Sequence, residues 1–149
     1  MRPASPRLIL HVQHAAAATG FPPRVRLRRW TLAALERDAV VTLRFVGAGE
    51  GRRLNAAFRN KPHPTNVLTF VYDEAARLSG DIVLCVPVLR REAREQAKTL
   101  DHHCAHLVVH GMLHLQGYDH QREREARRME TQETAILAGL GIPDPYTVT

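Results

Sequence analysis

Cysteine is nearly absent from this chain: Cys85 and Cys104 are the only two in 149 residues. Both lie in apolar surroundings and lack C-x-x-C spacing, which excludes a disulfide framework and a cysteine zinc knuckle and predicts two buried free thiols. Long apolar runs are missing too. Near the N-terminus only Leu8 to Leu10 is continuously apolar, too short for the hydrophobic region of a signal peptide, and no stretch approaches the roughly 20 residues of a membrane span. These absences predict a soluble cytoplasmic protein with no membrane partner. Lysine is also scarce, with Lys61 and Lys98 alone among 21 basic residues. An arginine bias of this kind fits the codon usage of a GC-rich genome, so the charge does not by itself identify a ligand.

What is present is the composition of an ordinary globular protein, 44% hydrophobic and 24% charged. A chain of this length is expected to form one domain over residues 1–149, monomeric, burying about two-thirds of the surface it exposes when unfolded. The net charge of +6 would attract phosphate-rich partners, nucleic acid first among them.

Hydrophobic periodicity divides the chain into strands and helices. Arg7 to Gln13 alternates Leu8, Leu10 and Val12 and reads as a strand. After Pro22-Pro23, Leu27, Trp30, Leu32, Ala34 and Leu35 recur at near-helical spacing, with Trp30 as core. Ala39 to Val46 is a β-branched and aromatic run closed by Gly47 and Gly49, hence a second strand. A helix is expected over Glu50 to Arg59 with Leu54, Ala57 and Phe58 inward, followed by the loop Asn60 to Pro64, which two prolines bar from regular pairing. Asn66 to Tyr72 and Asp81 to Val86 read as a third and fourth strand, joined by a polar connection containing Ser79-Gly80. Pro87 suits a helix first turn, with Leu89, Ala93, Ala97 and Leu100 buried and Arg91 and Glu95 paired outside. His103 to Gln116, apolar nearly all round, is a central helix that Gly117 should stop. A last helix, Arg122 to Leu140, sets Ala126, Met129, Ile136, Leu137 and Leu140 against a face of mixed Arg and Glu. The tail from Gly141 is expected to lie loosely on the surface.

Six of the nine histidines fall between His102 and His120, and His102, His106, His110 and His114 are spaced by four along one helix. Side chains four apart stack about 6 Å from each other, so one adjacent pair can share an ion at bond lengths near 2.0–2.1 Å, but a third on the same ladder cannot reach it. The chain turns back at Gly117 and Tyr118-Asp119-His120 follows at once. The pair beside the turn, His110 and His114, with His120 from beyond it, therefore makes the favoured site, His-x3-His-x5-His. Three neutral imidazoles on zinc keep a fourth position for water and lower its pKa to about 7, the arrangement of a catalytic rather than a structural site. His102, His103 and His106 read as helix-start surface residues or core-edge partners, and His11, His14 and His63 are given no site role.

The spacing of the three histidines and Gly117 resembles the long zincin motif, H-E-x-x-H-x-x-G-x-x-H. Gly111 stands where that motif has its general-base glutamate, so a peptidase would have to find its base elsewhere.

The same segment, His110-Gly-Met-Leu-His-Leu-Gln-Gly-Tyr-Asp-His120, resembles at every fixed position the signature H-G-x-L-H-L-x-G-Y-D-H of the YbeY family of bacterial rRNA maturation factors. Upstream, Leu54-Asn55, Arg59 and Thr65-Asn66-Val67-Leu68-Thr69-Phe70 resemble the family's L-N-x-x-[YF]-R and T-D-V-L-S-F, and Gly80-Asp81-Ile82 its next element. The resemblance implies an α+β fold, a four-stranded mixed sheet with about five helices, and one zinc ion on His110, His114 and His120, carried by a central helix and the turn after it. It also implies single-strand-specific endoribonuclease activity, a part in 16S rRNA 3′-end maturation and ribosome quality control, and partners among rRNA, the ribosome and small-subunit assembly proteins. Arg59 matches the family's functionally important arginine. Asn66 and Thr69 depart from the family's Asp and Ser, which leaves position 66 without an acid-base role.

The residue chemistry suits that implication. Phosphodiester cleavage needs an activated water and a cation for the phosphoryl oxygens, and zinc at His114 and its fellow ligands near Arg59 would supply both. Arg52, Arg53, Arg59 and Lys61 flank the site in sequence and are the expected RNA contacts, whereas Arg122, Arg124, Arg127 and Arg128 alternate with glutamates like a solvated face. Asp119 is expected to orient an imidazole or cap the turn, and Tyr118 to pack or to stack on a base. Two other readings stay open: a ribosome-assembly factor that binds RNA around a structural metal, and a zinc peptidase.

Overall fold

The computed structural model describes residues 5–16, 20–59, 66–74, 77–119 and 121–146, the side chains of Phe58 and Arg59 excepted. In order the elements are β1 (Leu8–His14), α1 (Arg24–Ala33), β2 (Ala39–Val46), α2 (Ala48–Arg59), β3 (Val67–Asp73), β4 (Leu78–Cys85), α3 (Val86–Glu95), α4 (Leu100–Leu115) and α5 (Glu123–Gly139). They form an α+β domain around a four-stranded mixed sheet of order β1-β2-β4-β3. β1 runs parallel to β2 and β2 to β4, while β3 is antiparallel to β4.

Alternation along the strands gives the sheet two buried faces. Leu10, Val41, Leu43, Phe45, Ile82 and Leu84 point to one, where α1, α4 and α5 supply Trp30, Val108, Met112, Leu113 and Met129. Val46, Leu68, Val83 and Cys85 point to the other, under Leu54 of α2 and Val88 of α3. Helix α4 is enclosed as its composition predicts, and each fully buried side chain such as Met112 or Leu113 contributes about 1.5–3 kcal/mol.

Several boundaries differ from the periodicity reading. In α2 the inward residues are Gly51 and the fully buried Asn55, one turn apart, with Leu54 half-buried and Ala57 exposed; Ala57, two positions beyond Asn55, is turned about 200° away. β4 takes in Ser79-Gly80, which the sequence placed in a connection. A Cβ at Gly80 would lie 2.7 Å from the Phe70 carbonyl oxygen and 3.0 Å from Leu115, so glycine is what lets β3 and α4 close over this strand. Ala97 is exposed and outside α3. It adopts φ 53° as the left-handed residue of a helix stop in which the Lys98 N–H reaches the Ala93 carbonyl and the Ala97 N–H the Arg94 carbonyl. α4 then starts at Leu100, where the Thr99 hydroxyl accepts from the His102 N–H at 3.0 Å.

The tail is not loose as far as Tyr146. Gly141, at φ 77°, ends α5 with bonds from its own N–H to the Ala138 carbonyl and from the Ile142 N–H to the Leu137 carbonyl. Ile142 joins the core, Lys98 donates to the Pro145 carbonyl at 3.3 Å, and the Tyr146 hydroxyl donates to Glu133.

Candidate metal centre

The cleft beside the central helix is built from three local features. Edge strand β3 presents Val67 to Tyr72 as one wall, α4 presents His110 and His114, and the turn after α4 adds Asp119 and Gln121, together enclosing about 590 Å³. Gly117, at φ 105°, closes α4: its N–H bonds the His114 carbonyl at 3.1 Å and the Tyr118 N–H the Leu113 carbonyl at 3.0 Å. That turn carries the Tyr118 carbonyl back over the helix, 3.0 Å from Nδ1 of His114. A carbonyl only accepts, so His114 holds its proton on Nδ1 and its lone pair on Nε2.

His110 is held in the same sense from another direction. Its Nδ1 lies 2.5 Å from Oε1 of Glu133, a residue of α5 with no exposed surface. Burial by itself raises the pKa of Glu133, but hydrogen bonds from His106, His110 and Tyr146 outweigh it and hold the carboxyl at about 2. As an ionised acceptor it requires the proton on Nδ1 of His110, so both described histidines carry the Nε2 lone pair of a metal ligand anchored through its other nitrogen. The residues present therefore fit a metal ion. His120 and Lys61 lie outside the described residues, and among those described no cluster of three His, Cys, Asp or Glu side chains is poised to hold an ion.

Gly111, between the two histidines, faces the sheet: a Cβ there would stand 2.9 Å from Cγ2 of Ile82. Position 111 thus has no room for the zincin glutamate. Arg52 and Arg53 are exposed on α2, on the opposite side of the sheet from α4, and do not line the cleft. Arg59 ends α2, and its side chain lies outside the description. Tyr118 packs: its ring meets the core, its hydroxyl donates to Glu36 at 2.9 Å, and the guanidinium of Arg128 lies 5.6 Å from its centroid. Asp119 caps the turn by accepting from the Gln121 N–H at 3.3 Å.

His103 and His106 are core-edge partners. His103 meets Glu92 at 3.0 Å, and Glu92 also accepts from Asn66 at 3.2 Å, which ties the start of β3 to α3. His106 meets Glu133 at 3.2 Å. Glu133 and Tyr146 went unrecognised in the sequence. A signal was there: Glu133 stands four residues from Met129 and from Leu137, on the buried stripe of α5.

Comparison with known proteins adds an independent line. The family model described as endoribonuclease YbeY matches residues 26–141. The endoribonuclease YbeY of Aromatoleum aromaticum is 60% identical over 146 residues, covering 96% of this chain and 95% of that protein. That of Thiobacillus denitrificans is 55% identical over 144 residues, covering 95% and 98%. The solution structure of TM1509 from Thermotoga maritima aligns with 94% of this chain and 100% of its own at TM-score 0.57 and 23% identity, a likeness of fold. With its central histidine helix, mixed sheet and near full-length identity to such relatives, the chain belongs to the YbeY family of endoribonucleases.

Proposed function

We propose that this protein is a zinc-dependent endoribonuclease that cleaves single-stranded RNA, and that it serves 16S rRNA 3′-end maturation and ribosome quality control in the cytoplasm, acting as a monomer with the small subunit and its assembly proteins. The observation that carries the reading is the pairing of His110 and His114 on the cleft wall, each with Nδ1 held by an acceptor. His120 is the proposed third ligand. Bound there, zinc would supply Lewis acidity for attack of water on a phosphodiester at neutral pH. The chain's own part is to fix the imidazoles, to shape a trough along β3 for an extended strand, and to bring Arg59 to the phosphate as a fixed cation. Arg52, Arg53 and Lys61 are proposed to hold RNA outside the trough, which fits the net charge of +6.

The test is cleavage of single-stranded rRNA fragments by purified protein with metal content measured on the same sample. We expect one equivalent of zinc, loss of cleavage with chelator, and a fall of at least about 100-fold in His114→Ala. Cleavage unchanged in His114→Ala would assign the activity to a contaminant and sink the enzyme reading. Less than half an equivalent of metal with RNA binding intact would favour an assembly factor. The peptidase reading is weakened by the packing of Gly111 on Ile82.

A further inference from the structure

Four histidines share one ladder on α4, and any adjacent pair has the spacing of a chelate. Something must decide which pair binds. The carboxylate of Glu133 touches two of them through different ring nitrogens: Oε1 meets Nδ1 of His110 at 2.5 Å and Oε2 meets Nε2 of His106 at 3.2 Å. A carboxylate that only accepts puts the proton of His110 on Nδ1 and that of His106 on Nε2. His110 is thereby given the ligand tautomer, and His106 has its outer nitrogen committed to Glu133, with its Nδ1 buried and lacking a hydrogen-bond partner among the described residues.

Nothing in the packing of α5 calls for a charge at this position. Met129 and Leu137 flank Glu133 on the buried stripe, and taking a carboxylate fully out of water costs several kcal/mol unless donors repay it. Three donors converge instead: the two imidazoles and the Tyr146 hydroxyl, which the Gly141 turn brings back from the end of α5.

We infer that Glu133 is the positioning residue of the metal centre, selecting His110 with His114 from the ladder and keeping His106 out. This rests on the reading of His110 and His114 as ligands. The experiment compares wild type with Glu133→Leu and Glu133→Gln, all checked for folding by circular dichroism. Zinc affinity is measured by competition with a chromophoric chelator, and the ring tautomers are read from long-range ¹H–¹⁵N correlation spectra of the metal-free proteins. In wild type we expect His110 protonated on Nδ1 and His106 on Nε2. Glu133→Leu should mix the His110 tautomers and weaken zinc binding about 100-fold, and Glu133→Gln, which keeps one acceptor without the charge, about 10-fold. Wild-type His110 protonated on Nε2, or zinc affinity within twofold of wild type in a folded variant, overturns the inference; if Glu133→Leu does not fold, Glu133→Gln decides. Wild-type protein that binds no zinc would instead sink the metal reading, while the tautomer spectra still report on Glu133.

Discussion

At the scale of single residues, Gly111 shows how a departure from a familiar motif becomes intelligible through packing. The sequence registers only that glutamate is missing. The structure supplies the cause, because α4 lies so close to β4 that a methyl group would press on Ile82 at 2.9 Å and 3.1 Å. Gly111→Ala should destabilise the protein by about 1–3 kcal/mol, as overpacking does, and adding Ile82→Val should not restore it, since valine keeps Cγ2. A denaturation midpoint unchanged in Gly111→Ala would show that α4 can shift freely. The placing of His110 and His114 side by side on the cleft wall was legible because it depends on helical spacing, which a sequence displays. For Glu133 only its place on the apolar stripe of α5 could be read; its role was hidden because its partners lie 13, 23 and 27 residues away and its neighbours Glu130 and Arg128 suggest a solvated face.

At the scale of elements, strand and helix bodies followed from periodicity, while their ends were decided by single-residue geometry. The stop between α3 and α4 is the sharpest case. Apolar spacing carried Ala97 and Leu100 along one helix, yet the chain breaks at Ala97 by adopting a left-handed conformation at φ 53°, which costs about 1–2 kcal/mol in a residue with a Cβ. Glycine is the residue that this position favours, so Ala97→Gly should raise the unfolding free energy by about 1 kcal/mol. Chemical denaturation checks it, and a lower midpoint would refute the assignment. Strand order was equally hidden, since β3 and β4 are neighbours in sequence but only one can sit inside. β4, with Ile82, Val83, Leu84 and Cys85 all buried, takes the interior, and β3, with Tyr72 and Asp73 exposed, takes the edge.

At the scale of the whole molecule, acid should act through the buried imidazole that joins α3 to α4. Burial pushes the pKa of His103 below its ordinary value, and the hydrogen bond that its ring donates to Glu92 offsets this only in part. The folded protein thus binds fewer protons at this site than the unfolded chain. Its contribution is complete above about pH 6.5 and is lost as the pH falls through the lower folded value. In metal-free protein the urea midpoint should drop between pH 7.5 and 5.5, and His103→Gln, which can still donate to Glu92, should flatten that slope relative to wild type. Equal slopes would mean that His103 titrates normally. Charge totals and composition could not have revealed this, since they count histidines without placing them.

The ladder on α4 has one more consequence. Four residues advance an α-helix by about 400°, so each step from one histidine to the next turns about 40° past a full circle, and three steps turn about 120°. The rotation passes a single residue type through successive surroundings. His102 and His106 line the hollow under the C-terminal tail, His106 and His110 share Glu133, and His110 and His114 line the cleft. Each pair hands over to the next, so inserting one residue between His106 and His110 would swing the upper ladder by about 100° and uncouple the tail from the cleft.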